Sequence, residues 1–164
     1  MSYINQCQDI YLSRFSDDGV FAKKLFEECS ENIEYIEEKG EIVCYLFLLP
    51  CVIDGKNAKY IFAVATKKEH EGKGYMSQLL KRVIEREEIL FLRPVNENIT
   101  AFYERFGFKL IKATAKDNSF PNLIPKGSFK NFAKQIEPDE DNEYPFMYLS
   151  ETNFDKVCFE YSMD

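Results

Sequence analysis

Tyr60-Ile-Phe-Ala-Val-Ala-Thr66 runs into Lys67-Lys-Glu-His-Glu-Gly-Lys73 and then into Gly74-Tyr-Met-Ser77. An apolar segment with aromatic and β-branched residues reads as a strand. It passes into a polar loop with two glycines, and the loop opens a helix predicted over Gly74 to Arg86. Met76, Leu79, Leu80, Val83 and Ile84 recur there three and four apart, the spacing of one apolar helix face. A strand, a glycine loop and a helix N-terminus together suit a phosphate or pyrophosphate. The first-turn N–H groups have no intrahelical acceptor, and the helix dipole places partial positive charge beside them. Gly72 and Gly74 let the backbone approach without a Cβ in the way, and Lys73 adds a cation. No G-x-x-x-x-G-K-[ST] is present, and Ser77 stands where a third glycine would complete G-x-G-x-x-G. Taken alone, the stretch also fits an ordinary polar loop.

Upstream, residues 5–29 read as two helical pieces. Ser16-Asp17-Asp18 offers cap residues for the second, in which Phe21, Leu25 and Phe26 share a face. Ile33 to Glu38 alternates imperfectly as a strand, Lys39-Gly40 turns, and Glu41 to Ile53 reads as a long buried strand. Asp54-Gly55-Lys56-Asn57 is a hairpin signal, and a third strand runs from Ala58 to Thr66, completing an antiparallel meander. Downstream, Ile89 to Leu92 is a continuous apolar run, as in a strand covered on both faces. Ile99 to Phe106 reads as a helix stopped by Gly107, and Phe108 to Ala113 as a strand. Strand, helix, strand at this spacing implies a βαβ crossover and a parallel pair. The expected fold class is α/β (α+β), a mixed sheet with a meander, a parallel βαβ unit and helices on both faces. Periodicity fails from Thr114 to Tyr144. Phe146 to Ser150 and Val157 to Tyr161 are expected as edge strands, and residues 1–164 as a single domain.

A second stretch follows the phosphate-type loop: Asn96-Glu-Asn-Ile-Thr-Ala-Phe-Tyr-Glu-Arg-Phe-Gly-Phe108. With both stretches in register, residues from about Ile33 to Ile111 resemble the GNAT superfamily of acyl-CoA-dependent N-acyltransferases. The first stretch is similar to that family's pyrophosphate motif, R/Q-x-x-G-x-G/A. The second is similar to its following motif, an Asn, then a Tyr, then Gly-Phe. The resemblance implies acetyl-CoA as acyl donor and a primary amine as acceptor, with no metal. It implies that Val64, Ala65 and Thr66 bond the pantetheine arm, with the N–H of Val64 or Ala65 facing the thioester oxygen. Gly72, Lys73, Gly74, Tyr75, Met76 and Ser77 would cradle the pyrophosphate, and Asn98 would touch the coenzyme. Tyr103 would protonate the departing thiolate. In the family the cofactor lies between two splayed parallel strands, here those ending near Thr66 and Leu92.

Two positions depart from the motif. Glu69 stands where it has Arg or Gln, and Glu71 precedes Gly72. Carboxylates beside a pyrophosphate are unfavourable unless directed to solvent, so weakened binding is expected, since the backbone cradle does not require those side chains. These departures, with no acidic residue on Tyr60 to Thr66 to serve as base, motivate a competing reading: a CoA-binding regulatory or interaction module without turnover. A longer or acidic acyl donor is also open. The acceptor would be set by residues 5–32 and 114–145, which carry no legible signature. His70 is expected as a solvated loop residue and Tyr103, without the resemblance, as a core aromatic. The acidic run Glu137–Glu143 is expected as a solvated loop, with attraction of a cationic acceptor as the alternative.

Bulk properties set the remaining expectations. The chain has 164 residues, 45% hydrophobic, with 15 Phe and 10 Tyr, enough for a sizeable core. A formal charge of -7 disfavours nucleic-acid and anionic-membrane partners. The 5 Cys have no C-x-x-C spacing, so reduced, buried thiols are expected rather than disulfides or a zinc site. With no signal-like N-terminus and no long apolar run, the expected location is cytoplasmic. Oligomeric state is not legible.

Overall fold

The computed structural model describes residues 2–16, 19–115, 119–136 and 142–160. The helices are α1 (Tyr3–Arg14), α2 (Val20–Cys29), α3 (Tyr75–Arg86), α4 (Glu97–Glu104) and α5 (Lys130–Ile136). The strands are β1 (Ile33–Glu38), β2 (Glu41–Ile53), β3 (Lys56–Thr66), β4 (Leu90–Leu92), β5 (Lys109–Thr114), β6 (Asn122–Pro125), β7 (Tyr144–Leu149) and β8 (Lys156–Phe159). The strands hydrogen-bond in the order β1-β2-β3-β4-β7-β5-β8-β6, and β6 pairs again with β2. This is the mixed α/β architecture expected. The chain forms two compact units, Met1–Leu48 with Ile61–Arg86, and Leu49–Tyr60 with Glu87–Asp164.

In the first unit, two helices and a hairpin form for local reasons. Ser2 caps α1, its hydroxyl accepting from Asn5 N–H at 3.2 Å. α1 buries Cys7, Ile10 and Tyr11, and α2 buries Ala22, Leu25, Phe26 and Cys29, the three-and-four spacing of a helix face. The cap of α2 is Gly19, left-handed at φ 83, with no side-chain cap bond. This corrects the expectation of a polar cap at Ser16-Asp17-Asp18, of which Asp17 and Asp18 lie outside the described residues. Lys39 and Gly40 both take positive φ, 53 and 81, as a two-residue hairpin turn requires. Eight consecutive residues of β2, Ile42 to Leu49, are buried, so this strand is covered on both faces. Phe26 packs edge-on to Phe47 at 5.1 Å and to Tyr45 at 5.9 Å.

In the second unit the pairings close into a ring. β3 pairs in parallel with β4 (Lys59↔Leu90, Tyr60↔Phe91), the crossover pair expected. β4 and β5 both pair antiparallel with β7, β5 and β6 pair in parallel with β8, and β6 returns to β2 (Cys51↔Pro125). Its core holds Tyr60, Phe91, Phe129, Phe146 and Phe159, each at most 1% exposed.

Two expectations change here. β7 and β8 are internal strands, not edges: each has a neighbour on both sides. A run of buried Phe146, Met147 and Tyr148 is the local sign of that, but the choice of partners is made by long-range ladders. The segment read as aperiodic holds β6 and α5, four and seven residues long, too short to display a period. Tertiary burial of Phe129, Phe132 and Ala133 holds the latter in place. Of the acidic run, 137–141 lie outside the described residues.

Candidate functional site

The last six residues of β3 lie in the first unit and contain an irregularity. Ala63 takes φ 52 inside the strand, where a non-glycine residue pays about 1 kcal/mol or more. Burial loses its alternation there: Phe62, Ala63 and Val64 are all half-buried, then Ala65 is buried and Thr66 half-buried. A left-handed residue interrupts the strand ladder locally and re-aims the groups after it. Val64, Ala65 and Thr66 follow directly, and Lys67 N–H resumes pairing with Val43 O at 2.8 Å. The sequence carries no signal for this, because alanine is an ordinary strand residue.

After β3, one 3-10 turn over Lys68–His70 leads to Gly72 at φ 75 and Gly74 at φ 84, and α3 begins at Tyr75. The first intrahelical bond runs from Gln78 N–H to Gly74 O, 3.0 Å. The amides of Tyr75, Met76 and Ser77 therefore precede the helical ladder, and the helix dipole adds to them. A Cβ built on Gly72 or Gly74 meets nothing within 4 Å, so both glycines border open space. Leu79, Leu80 and Val83 bury the opposite face of α3. Loop, glycines and helix end thus follow one another directly, and Lys73 stands exposed between the glycines.

Both carboxylates of this loop are paired. The Glu71 carboxylate forms a salt bridge with Arg14 of α1. Lys67 bridges Glu41 of β2 and Glu69, the latter at 3.3 Å. The Lys67 ammonium bonded to it holds the Glu41 carboxyl below its usual range, and Glu41 in turn raises Lys67. Glu69 is lowered too, first by a backbone hydrogen bond and then by Lys67. The two glutamates that depart from the motif thus each have a cation. His70 is not the solvated residue expected: its side chain is 17% exposed, 3.8 Å from Glu41, with Nδ1 3.3 Å from Lys73 Nζ. Its ring meets Tyr75 edge-on at 5.8 Å. Arg14, Glu41 and Lys67 escaped the sequence reading because their partners are distant in the chain. Beside the loop lies a cleft of about 450 Å³, with Gln6, Asp9 and Ile10 of α1, Ile42, Lys67 and Glu69 among its lining. Its α1 wall belongs to the stretch expected to set the acceptor.

In the second unit, Asn96 caps α4, its side-chain oxygen accepting from Ile99 N–H at 2.9 Å. The cap starts the helix two residues before the predicted start. Asn98 is exposed on the first turn. Tyr103 is 5% exposed, with its ring 5.2 Å from Phe102 and 5.3 Å from Phe108. Burial pushes its phenol above the ordinary range. Among the described residues its hydroxyl makes no hydrogen bond, and it is not sealed from solvent as those of Tyr45 and Tyr60 are. α4 ends at Glu104, and Gly107 at φ 93 turns the chain. β3 and β4 end at Thr66 and Leu92, the residues expected. Val64 to Thr66 and Gly72 to Ser77 thus share the first unit, and Asn98 and Tyr103 the second.

Among the described residues, no group of three or more His, Cys, Asp or Glu could hold a metal ion, and no helix is long and apolar enough to cross a membrane. All five cysteines are buried, and none is in a disulfide.

No curated protein sequence matches the chain. Solved structures share its fold. A protein from Mycobacterium tuberculosis, Rv2747, in complex with CoA and NLQ, has a TM-score of 0.59 at 14% identity, over 91% of this chain and 94% of that one. A histone acetyltransferase HPA2 and related acetyltransferase from Corynebacterium glutamicum has 0.57 at 19%, over 92% of each chain. A GCN5-related N-acetyltransferase from Kribbella flavida has 0.52 at 18%, over 65% of this chain, which spans only 31% of that protein's length. The family model of the acetyltransferase (GNAT) domain matches residues 22–110, more than half of the chain, and the chain therefore belongs to the GNAT acetyltransferase family.

Proposed function

We propose that this chain, acting as one cytoplasmic domain over residues 1–164, transfers an acetyl group from acetyl-CoA to a primary amine by direct attack. The observation that carries the reading is the start of α3: three amides ahead of the helical ladder, flanked by two glycines that border open space. Bound there, acetyl-CoA supplies an activated acyl thioester. The N–H groups of Gly72 to Ser77 hold its pyrophosphate, and Lys73 adds charge. The N–H of Val64 or Ala65, re-aimed after the left-handed Ala63, polarises the acyl carbonyl. Asn98 contacts the coenzyme. The amine nitrogen bonds to the acyl carbon as the C–S bond breaks, Tyr103 gives its proton to the departing sulfur, and the proton then lost by the nitrogen returns through water to the phenolate. Burial keeps that phenol protonated at neutral pH, so it is present as the acid. An alkylamine with a pKa of about 10.4 must lose a proton first, at about 4 to 5 kcal/mol near pH 7; water or a residue near the acceptor takes it. The ion pairs of Glu71 with Arg14 and Glu69 with Lys67 support the reading, because they offset the carboxylates that would oppose a pyrophosphate.

The test is thermal unfolding with and without acetyl-CoA, with ATP and NAD as controls. A ligand at one hundred times Kd adds about 2.7 kcal/mol, worth roughly 5–10 °C in Tm for a chain of this size. A shift with acetyl-CoA alone is expected. No shift at millimolar acetyl-CoA would overturn the reading. A shift without acyl transfer to any amine in a broad panel would leave a CoA-binding module without turnover.

A further inference from the structure

The cleft of about 450 Å³ beside the glycine loop has one wall from α1 and another from the turn over Lys68–His70, both in the first unit. Its volume is that of a small-molecule site. Ile10 and Ile42, 4% and 2% exposed, give it an aliphatic lining. The Gln6 side-chain oxygen accepts from Ile42 N–H at 2.9 Å, which leaves its NH2 group as a donor at the wall. Four of the lining residues are charged. Lys67 and Glu69 pair with each other at 3.3 Å, and Lys67 also pairs with Glu41. The other two are Asp9 on α1 and Lys68 on the turn. Among the described residues neither of these side chains has an ion-pair partner. Opposite charges thus stand on two elements of one cleft without meeting.

We infer that this cleft binds a small aliphatic zwitterion as an effector, its ammonium on Asp9 and its carboxylate on Lys68. A ligand with both charges answers both elements at once, whereas a cation or an anion alone leaves one side chain unmatched. The Gln6 NH2 adds a donor, and Ile10 and Ile42 take the aliphatic part. An amine held as ammonium has no lone pair with which to attack a thioester, so the occupant is bound and not acylated. The turn that carries Lys68 leads into Gly72, and the occupant ties that turn to α1 as the Arg14–Glu71 pair ties the residue after it. A turn already fixed costs less to order when the coenzyme arrives. Each ligand therefore raises the affinity of the other by the same factor. That effect rests on the coenzyme site proposed above, whereas the cleft itself does not.

Leucine and 6-aminohexanoate are the probes, with short and long spacing between their charges. Pentylamine and hexanoate, with one charge each, are the controls. Each is titrated into the full chain and followed by backbone amide NMR shifts. At least one zwitterion should saturate, with a Kd of about 1 mM and shifts at residues 6–13 and 67–69. The controls should bind about three- to fivefold more weakly, the worth of one exposed ion pair. Asp9→Asn and Lys68→Gln, both at exposed positions, should keep the wild-type Tm and weaken the zwitterion by a similar factor. Calorimetry with CoA should give an affinity about two- to threefold higher when the zwitterion is saturating, and mass spectrometry after incubation with acetyl-CoA should find the zwitterion unmodified. No binding of either zwitterion, equal binding of the controls, or variants that bind like wild type would overturn the site. An unchanged CoA affinity or an acetylated zwitterion would overturn the effector role. Zwitterion binding by a chain that binds no CoA would remove the coenzyme site and the effector role, and would leave the cleft as a zwitterion site.

Discussion

Gly74→Ala separates the strain of a left-handed residue from loss of the cradle. Gly74 has φ 84, and a Cβ there meets nothing within 4 Å. The folding cost is then conformational, about 1–2 kcal/mol for an L-residue held left-handed, with no clash to add. For a chain of this length that lowers Tm by about 2–8 °C. Gly40→Ala is the matched control: φ 81, nothing within 4 Å, in the β1–β2 turn. The two variants should melt at similar temperatures and below wild type. They should part in binding, because only residue 74 directly precedes the amides of Tyr75 to Ser77 at the start of α3. Losing one charge-assisted amide–phosphate bond costs about 1.5–3 kcal/mol, or about tenfold or more in Kd. Calorimetry with CoA on both variants reads this directly. Equal CoA affinity in Gly74→Ala and Gly40→Ala would refute the reasoning, since the glycine would then serve the fold alone.

Tyr103→Phe should lower kcat by about 10²-fold, in the range of a lost general acid. Its Tm should barely move, because the hydroxyl makes no hydrogen bond among the described residues. Since burial raises this phenol, activity that needs its proton shows no Tyr103 limb until the pH exceeds about 10; an unchanged kcat would remove the residue from the mechanism. Arg14→Ala unpairs Glu71 beside the loop and should weaken CoA binding by about two- to fivefold, as befits an exposed pair. Adding Glu71→Gln should restore it; no recovery in the double variant would mean that Arg14 acts otherwise. Burial pushes the thiols of Cys7 and Cys51 up to about 12 and that of Cys44 up to about 11. At pH 8 an alkylating reagent should leave the native chain unmodified and label it once urea is added. Because these raised thiols ionise more easily unfolded, stability should fall as pH rises from about 9 toward 12; a flat stability over that range would contradict their burial.

The local signals of this sequence carried the meander, the crossover and the phosphate-type loop. Lys39-Gly40 and Asp54-Gly55 turn as their residue types require, and the apolar spacing from Leu79 to Val83 faces α3 as read. Such features depend on neighbours within a few residues, so a linear string displays them. The short helix before Gly107 was legible for the same reason, though its Asn96 cap, and so its start at Glu97, was not. β6 and α5 were not, since four- and seven-residue elements show no period and are held by burial and ladders with distant strands. The internal placement of β7 and β8 likewise depends on which distant strands pair with them. At the candidate site, the sequence exhibited two glutamates that oppose an anion. Only the fold brought Arg14 to Glu71 and Lys67 to Glu69 and Glu41, and set His70 between Glu41 and Lys73. The left-handed Ala63 was decided there too. Charge pairing and backbone strain are properties of proximity in space, and sequence order does not encode them one position at a time.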